Sequence, residues 1–121
     1  MRLRYVIVFV TDLERSLQFY RDLVGLPVRE ETRSSVEFDL GGSTFVIHIA
    51  HVDEPLHHHP PLLAGSCRLG FEVRDLDMVH ARLVGAGVPC LTPPDAQFDL
   101  RVALYEDPDG LNFTLAEPLP R

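Results

Sequence analysis

The chain of 121 residues has no lysine; all eleven of its basic residues are arginine. Schiff-base chemistry is thereby excluded, as is any phosphate loop that depends on a lysine. Positive charge is scarce altogether. Eighteen acidic residues against eleven basic ones leave a net charge of −7 and a pI near 5.2, with no basic tract. Nucleic acid is therefore not expected as a partner. Cysteine occurs twice, as Cys67 and Cys90, outside any CxxC spacing. Neither a disulfide framework nor a zinc knuckle is encoded, and such usage fits a reducing cytoplasm. Long apolar runs are missing too: Tyr5–Val10 is too short to span a membrane, and no small-residue cleavage site follows it. No membrane anchor and no leader are expected on that ground.

What is present is the composition of one ordinary soluble domain, 45% hydrophobic and 24% charged. A chain this long buries roughly two-thirds of its unfolded surface, enough for a core without staples. Tyr5–Val10 is rich in β-branched and aromatic residues and reads as a strand buried on both faces. Thr11 or Asp12 then caps a helix bearing Leu13, Leu17, Phe19, Tyr20, Leu23 and Val24, which Gly25 and Pro27 end. Val28 onward, Ser35–Leu40 and Thr44–Ala50 are strands, the last two joined through Gly41-Gly42. Between His51 and Ser66, Pro55, Pro60, Pro61 and Gly65 interrupt any pattern, and the stretch reads as a connector.

The second half repeats the first. Val10-Thr-Asp-Leu-Glu returns as Val73-Arg-Asp-Leu-Asp, and Val24-Gly-Leu-Pro returns as Ala86-Gly-Val-Pro. The offset is 63 residues at the helix start (10 to 73) and 62 at its end (25 to 87), so the second helix is one residue shorter. Leu100–Tyr105 and Leu111–Leu115 then flank Asp107-Pro-Asp-Gly, a type I turn signature. The chain thus reads as βαβββ written twice: a first module over 1–52, a connector over 53–66 and a second module over 67–121, all within one α+β domain.

The stretch from Val10 to Pro27 resembles the opening of the first module in the vicinal oxygen chelate superfamily, which includes glyoxalase I, extradiol dioxygenases and bleomycin-resistance proteins. Glu106-Asp-Pro-Asp-Gly-Leu-Asn-Phe resembles that family's last hairpin, and with the duplication the likeness spans essentially the whole chain. The resemblance implies two βαβββ modules whose curved mixed sheets surround a concave cavity, commonly completed in a homodimer. It also implies four metal-ligand positions, on the first and last strand of each module. Here these fall on Tyr5, His48, Arg68 and Thr114, the place of His48 being loose by two residues. A divalent metal wants at least three imidazole, carboxylate or thiolate donors, and of the four only His48 qualifies. Arginine repels a cation, and threonine brings no charge. No metal and no other cofactor are therefore expected; a divalent ion displaced toward His48, with Glu37, Glu72 or His51 as further donors, is the alternative.

Strand alternation supplies the candidate ligand-binding set. Tyr5, Ile7 and Phe9 share a face, as do Arg68, Gly70 and Glu72, and again Asn112, Thr114 and Ala116. Arg101, with Ala103 and Tyr105, is expected to line the same cavity, and His48 to join it; Glu37 and Asp39 also point inward. The sum is an apolar, aromatic pocket with a few convergent polar groups. Arg68 either holds a ligand's oxyanion by paired hydrogen bonds or is ion-paired to Glu72, Glu37 or Asp39. Tyr5 offers a hydroxyl or simple packing, and His48 a base or a hydrogen-bonded imidazole. His57-His58-His59 sits in the proline-flanked connector, where adjacent histidines do not converge on one ion, so adventitious metal binding is the expectation there. His80 has no evident partner, and the thiols have no readable activating neighbour apart from Arg68 beside Cys67. The expected function is metal-independent binding of a small molecule, of the bleomycin-resistance type, by a cytoplasmic homodimer. The competing reading is a metal-dependent lyase, isomerase or dioxygenase of the glyoxalase type; an interaction domain with a self-filled cavity is a third.

Overall fold

A computed structural model describes residues 1, 3–50, 67–97 and 99–120. The chain divides into two compact units, Met1–Pro55 and Leu56–Arg121. Each is one copy of the βαβββ unit.

In the first unit, strand β1 (Tyr5–Val10) leads into helix α1 (Leu13–Gln18), and β2 (Val28–Glu31), β3 (Ser35–Asp39) and β4 (Thr44–Ile49) follow. The sheet order is β1-β4-β3-β2, with β1 parallel to β4 and the other pairs antiparallel. Asp12, not Thr11, caps α1. Its backbone is extended and its carboxylate accepts the Arg15 N–H at 3.0 Å, while Thr11 Oγ1 accepts from the Arg15 guanidinium at 2.8 Å. Beyond Gln18 the helix widens into a π-helical segment, Phe19–Val24, closed by Gly25 at φ 92°. The Gly25 N–H reaches the Tyr20 carbonyl, five residues back, at 3.1 Å. A π segment accommodates one extra residue in a helix. That is the residue by which the two halves differ in offset.

The helical side of this sheet forms a closed core. Tyr20 meets Phe45 edge-on at 5.0 Å, Phe38 stacks on Phe45 at 5.7 Å, and Val10, Leu17, Val36 and Ile47 are buried with them. The other side is open. Strand β1, read from its composition as buried on both faces, instead alternates: Val10 is buried, whereas Tyr5, Ile7 and Phe9 are 56%, 43% and 57% exposed.

The second unit repeats the plan with β5 (Leu69–Glu72), α2 (Leu76–Gly85), β6 (Cys90–Gln97), β7 (Leu100–Glu106) and β8 (Asn112–Pro118), in sheet order β5-β8-β7-β6. Asp75 caps α2 by accepting the Met78 N–H at 3.1 Å, and Glu117 of β8 accepts the Leu76 N–H at 3.0 Å. Leu76, Val79 and Leu83 of α2 are buried, as are Phe71, Ala103, Tyr105, Phe113 and Leu115 of the sheet. Strand β6 carries Pro93 and Pro94, which carry no N–H to donate to a ladder. It is tolerated because it is an edge strand, with register shifts on either side of Thr92. The turn before β8 forms as expected: Gly110 N–H bonds the Asp107 carbonyl at 3.0 Å, and the buried Asp107 carboxylate accepts the N–H groups of Asp109 and Leu111.

Candidate functional site

Each sheet has one face under helix and one face without it, and the alternation of each strand decides which side chains reach the open face. On the first sheet the register places three rows side by side: Tyr5–Thr44–Asp39, Ile7–Val46–Glu37 and Phe9–His48–Ser35. The expected set Tyr5, Ile7, Phe9 and His48 therefore lies together, with Glu37 and Asp39 on the same side. Phe9 meets the His48 ring edge-on with centroids 5.8 Å apart. His48 Nδ1 lies 2.8 Å from the Ile49 carbonyl oxygen, which only accepts, so in the neutral ring the proton sits on Nδ1. Nε2 is then left as an acceptor, aimed away from the backbone bond.

Sequence reasoning missed Arg29. From β2 it donates to Thr44 Oγ1 at 2.9 Å and pairs with Glu37 at 3.4 Å, placing a guanidinium at the Tyr5 end of this face. The pair is about half exposed and contributes little to stability. The cue was available, since alternation across β2 sets Arg29 apart from Val28, but the turn-rich flanks left the strand's phase unread.

On the second sheet Gly70 stands beside Thr114 and then Leu104, and Glu72 beside Ala116 and then Val102. Arg68 immediately precedes β5; continued alternation sets it on the face of Gly70 and Glu72, alongside Asn112. Arg68, Glu72, Asn112 and Thr114 thus share one open face. Among the described residues the Arg68 guanidinium has no hydrogen bond or ion pair, and the residue is exposed. Thr114 leans over Gly70 so closely that a Cβ there would come within 2.8 Å of Oγ1.

Arg101 is a correction. It lies on the helical face with buried Ala103 and Tyr105, not on the open face. Its guanidinium grips Asp77 of α2 with two bonds, 2.9 and 3.0 Å, and approaches Glu117 at 3.7 Å. Leu100, Val102 and Leu104 looked like the core phase of β7, but Ala103 and Tyr105 fill the space under the helix and set the opposite phase. The hydrogen bonds from Arg101 hold the Asp77 carboxyl below its usual range. His80, expected to lack a partner, shares a 2.8 Å hydrogen bond with the Tyr105 hydroxyl. Burial, with Cys90 alongside, pushes Tyr105 up to about 12. Both cysteines are free, Cys67 exposed and Cys90 half-buried. His51 and His57-His58-His59 lie outside the described residues.

The ligand positions implied by the family do not fit a metal. Gly70 follows Ile7 by 63 residues (7 to 70), and the strand neighbours of these two are Thr114 and Val46. The position matching Thr114 is therefore Val46, and His48 lies two residues further on. Tyrosine, valine, arginine and threonine make no donor set for a divalent ion. Among the described residues no group of three or more His, Cys, Asp or Glu side chains is arranged to hold one. No helix among them is long and apolar enough to cross a membrane.

Comparison with known proteins agrees with this architecture. The profile of the Glyoxalase/Bleomycin resistance protein/Dioxygenase superfamily matches residues 2–115. The uncharacterized protein YraH of Bacillus subtilis (strain 168) is 29% identical over 118 residues, covering 90% of this chain and 92% of YraH. A protein of unknown function from Agrobacterium tumefaciens str. C58 superposes with a TM-score of 0.75 at 31% identity, over 98% of this chain and 95% of that one. TnmS3, an antibiotic binding protein from Streptomyces sp. CB03234, superposes with a TM-score of 0.73 at 26% identity, over 98% and 96% of the two chains. The duplicated βαβββ unit, the capped helices and the closing hairpin are thus those of a member of the glyoxalase/bleomycin resistance protein/dioxygenase superfamily, to which this chain belongs.

Proposed function

We propose that the chain binds a small organic molecule on the open faces of its sheets without a metal ion, in the manner of the sequestering branch of its superfamily. The observation that carries this reading is the exposed row Tyr5, Ile7 and Phe9 with His48 beside it. Large apolar and aromatic side chains held on a rigid sheet and left uncovered mark a binding surface. The donor set at the superfamily's metal positions supports the metal-independent part, and the likeness to an antibiotic binding protein supports the ligand class. The test is a calorimetric titration of the chelator-treated protein with bleomycin and with fused-ring aromatic antibiotics. Saturable one-to-one binding, weakened about tenfold or more by Phe9→Ala and unaltered by added zinc, nickel or manganese, is the expected result. No saturable binding by any of them would count against the reading.

A second reading, a metal-dependent lyase, isomerase or dioxygenase with its ion displaced toward His48, is favoured by the Nε2 of that ring, which has no hydrogen bond among the described residues. Elemental analysis separates the two. One ion per chain in both the parent protein and a variant with His57, His58 and His59 replaced would support the enzyme.

Two further features belong to the proposal. A homodimer accords with β1 being an edge strand, whose outer backbone groups a second copy can pair. Residence in the reducing cytoplasm accords with two free cysteines.

A further inference from the structure

We infer that Arg68, Gly70, Asn112 and Thr114 form a receptor for a single carboxylate, so that the ligand is an organic monoacid; this rests on the small-molecule reading above. The other arginines on the strands are engaged within the fold. Arg101 is committed to Asp77 and Glu117, and Arg29 to Glu37 and Thr44. Arg68, on the open face of the second sheet, is committed to nothing among the described residues, although Glu72 lies on the same face of the same strand.

Beside it the strand has no side chain at all. Gly70 leaves bare backbone between Arg68 and Glu72, and Thr114 bends its hydroxyl over that gap. A methyl group at residue 70 would meet that hydroxyl, so glycine is what keeps the notch open. The hydroxyl of Thr114 stands at this notch, and alternation sets Arg68 and Asn112, a guanidinium and an amide, on the same sheet face one step along their chains. A planar carboxylate takes two parallel bonds from a guanidinium and has lone pairs left for the neutral donors. Glu72 borders the notch on β5, and Glu106 is paired with Asn112 on the far side. Two further carboxylates on this sheet face disfavour a second negative charge, so a carboxylate is selected over a phosphate monoester.

The experiment titrates the full-length protein with 2-naphthoate, 2-naphthamide and 2-naphthyl phosphate, followed by calorimetry and backbone amide NMR shifts. Naphthoate should bind at least about tenfold more tightly than the amide and than the phosphate, with shifts centred on Gly70 and Thr114. Arg68→Gln should bring naphthoate down to the affinity of the amide while leaving the amide unchanged. Gly70→Ala, with its fold checked by circular dichroism, should weaken naphthoate and spare the amide. Equal binding of naphthoate and amide, or equal weakening of both by Arg68→Gln, would overturn the carboxylate receptor and leave the small-molecule reading standing. If none of the three probes binds, the carboxylate receptor falls, and the antibiotic titrations decide separately whether the small-molecule reading stands.

Discussion

Ser16 shows what single residues cost and supply in this fold. Its side chain is fully buried in α1, and its hydroxyl has no hydrogen-bond partner among the described residues. The matching place in the second unit, 63 residues on (16 to 79), is Val79, an apolar residue. A buried hydroxyl left unbonded costs about 1–3 kcal/mol, so Ser16→Ala should stabilise the protein by about 1 kcal/mol in urea unfolding. Tyr105 is the opposite case, a buried hydroxyl whose partner, His80, comes from the helix above it. Because burial raises its pKa from 10.0 to about 12, the folded protein keeps this proton where the unfolded chain loses it. Stability from this group is present below pH 10 and declines as the pH rises toward 12. Ultraviolet titration of Tyr105→Phe should lack one late-ionising tyrosine that the parent protein shows. The sequence shows Tyr105 and His80 only as two residues 25 apart; their contact depends on the pitch of α2 over β7.

At the scale of elements, the two helices begin with the same device, an aspartate whose carboxylate takes a backbone N–H three residues on. Asp12→Ala and Asp75→Ala should each cost about 1 kcal/mol, measured as a fall in the urea midpoint at unchanged slope. The repeated Asp-Leu pattern marked both helix starts in advance, with the first cap open between Thr11 and Asp12. The fastening of α2 to its sheet was not. Arg101 clamps Asp77 of the first helical turn, and Glu117 accepts the Leu76 N–H from the same turn. The Asp77 carboxyl is held below its usual 3.8, so its pairing stabilises the folded state above that pH and is lost as the pH falls through the depressed value. Asp77→Asn should lower the melting temperature at pH 7 and leave it close to that of the parent protein at about pH 2. The phase of β7 was misread for a related reason. Both of its faces carry apolar residues, so alternation alone does not say which face a helix will cover.

For the whole molecule, gene-level duplication written into the sequence is the organising fact. The two halves share strand order, caps and glycine exits, and the single residue by which their offsets differ is taken up in the π segment of the first helix. The homodimer proposed for this chain should give twice 13.6 kDa by sedimentation equilibrium.

By itself the sequence determined the repeated βαβββ plan, the helix starts and the hairpin turn, because each rests on local chemistry within a few residues or on similarity between the two halves. The superfamily was legible through resemblance to its motifs, and the match over residues 2–115 bears that out. Only the tertiary structure decided which face of each strand a helix covers, and with it that Arg101 serves the fold while Arg68 has no partner among the described residues. It alone set Val46, rather than His48, opposite Ile7, and brought Arg29 to the open face from a strand whose phase was unreadable. The physical reason is the same throughout. Alternation fixes which residues share a face, but which face is buried depends on the helix that packs against it.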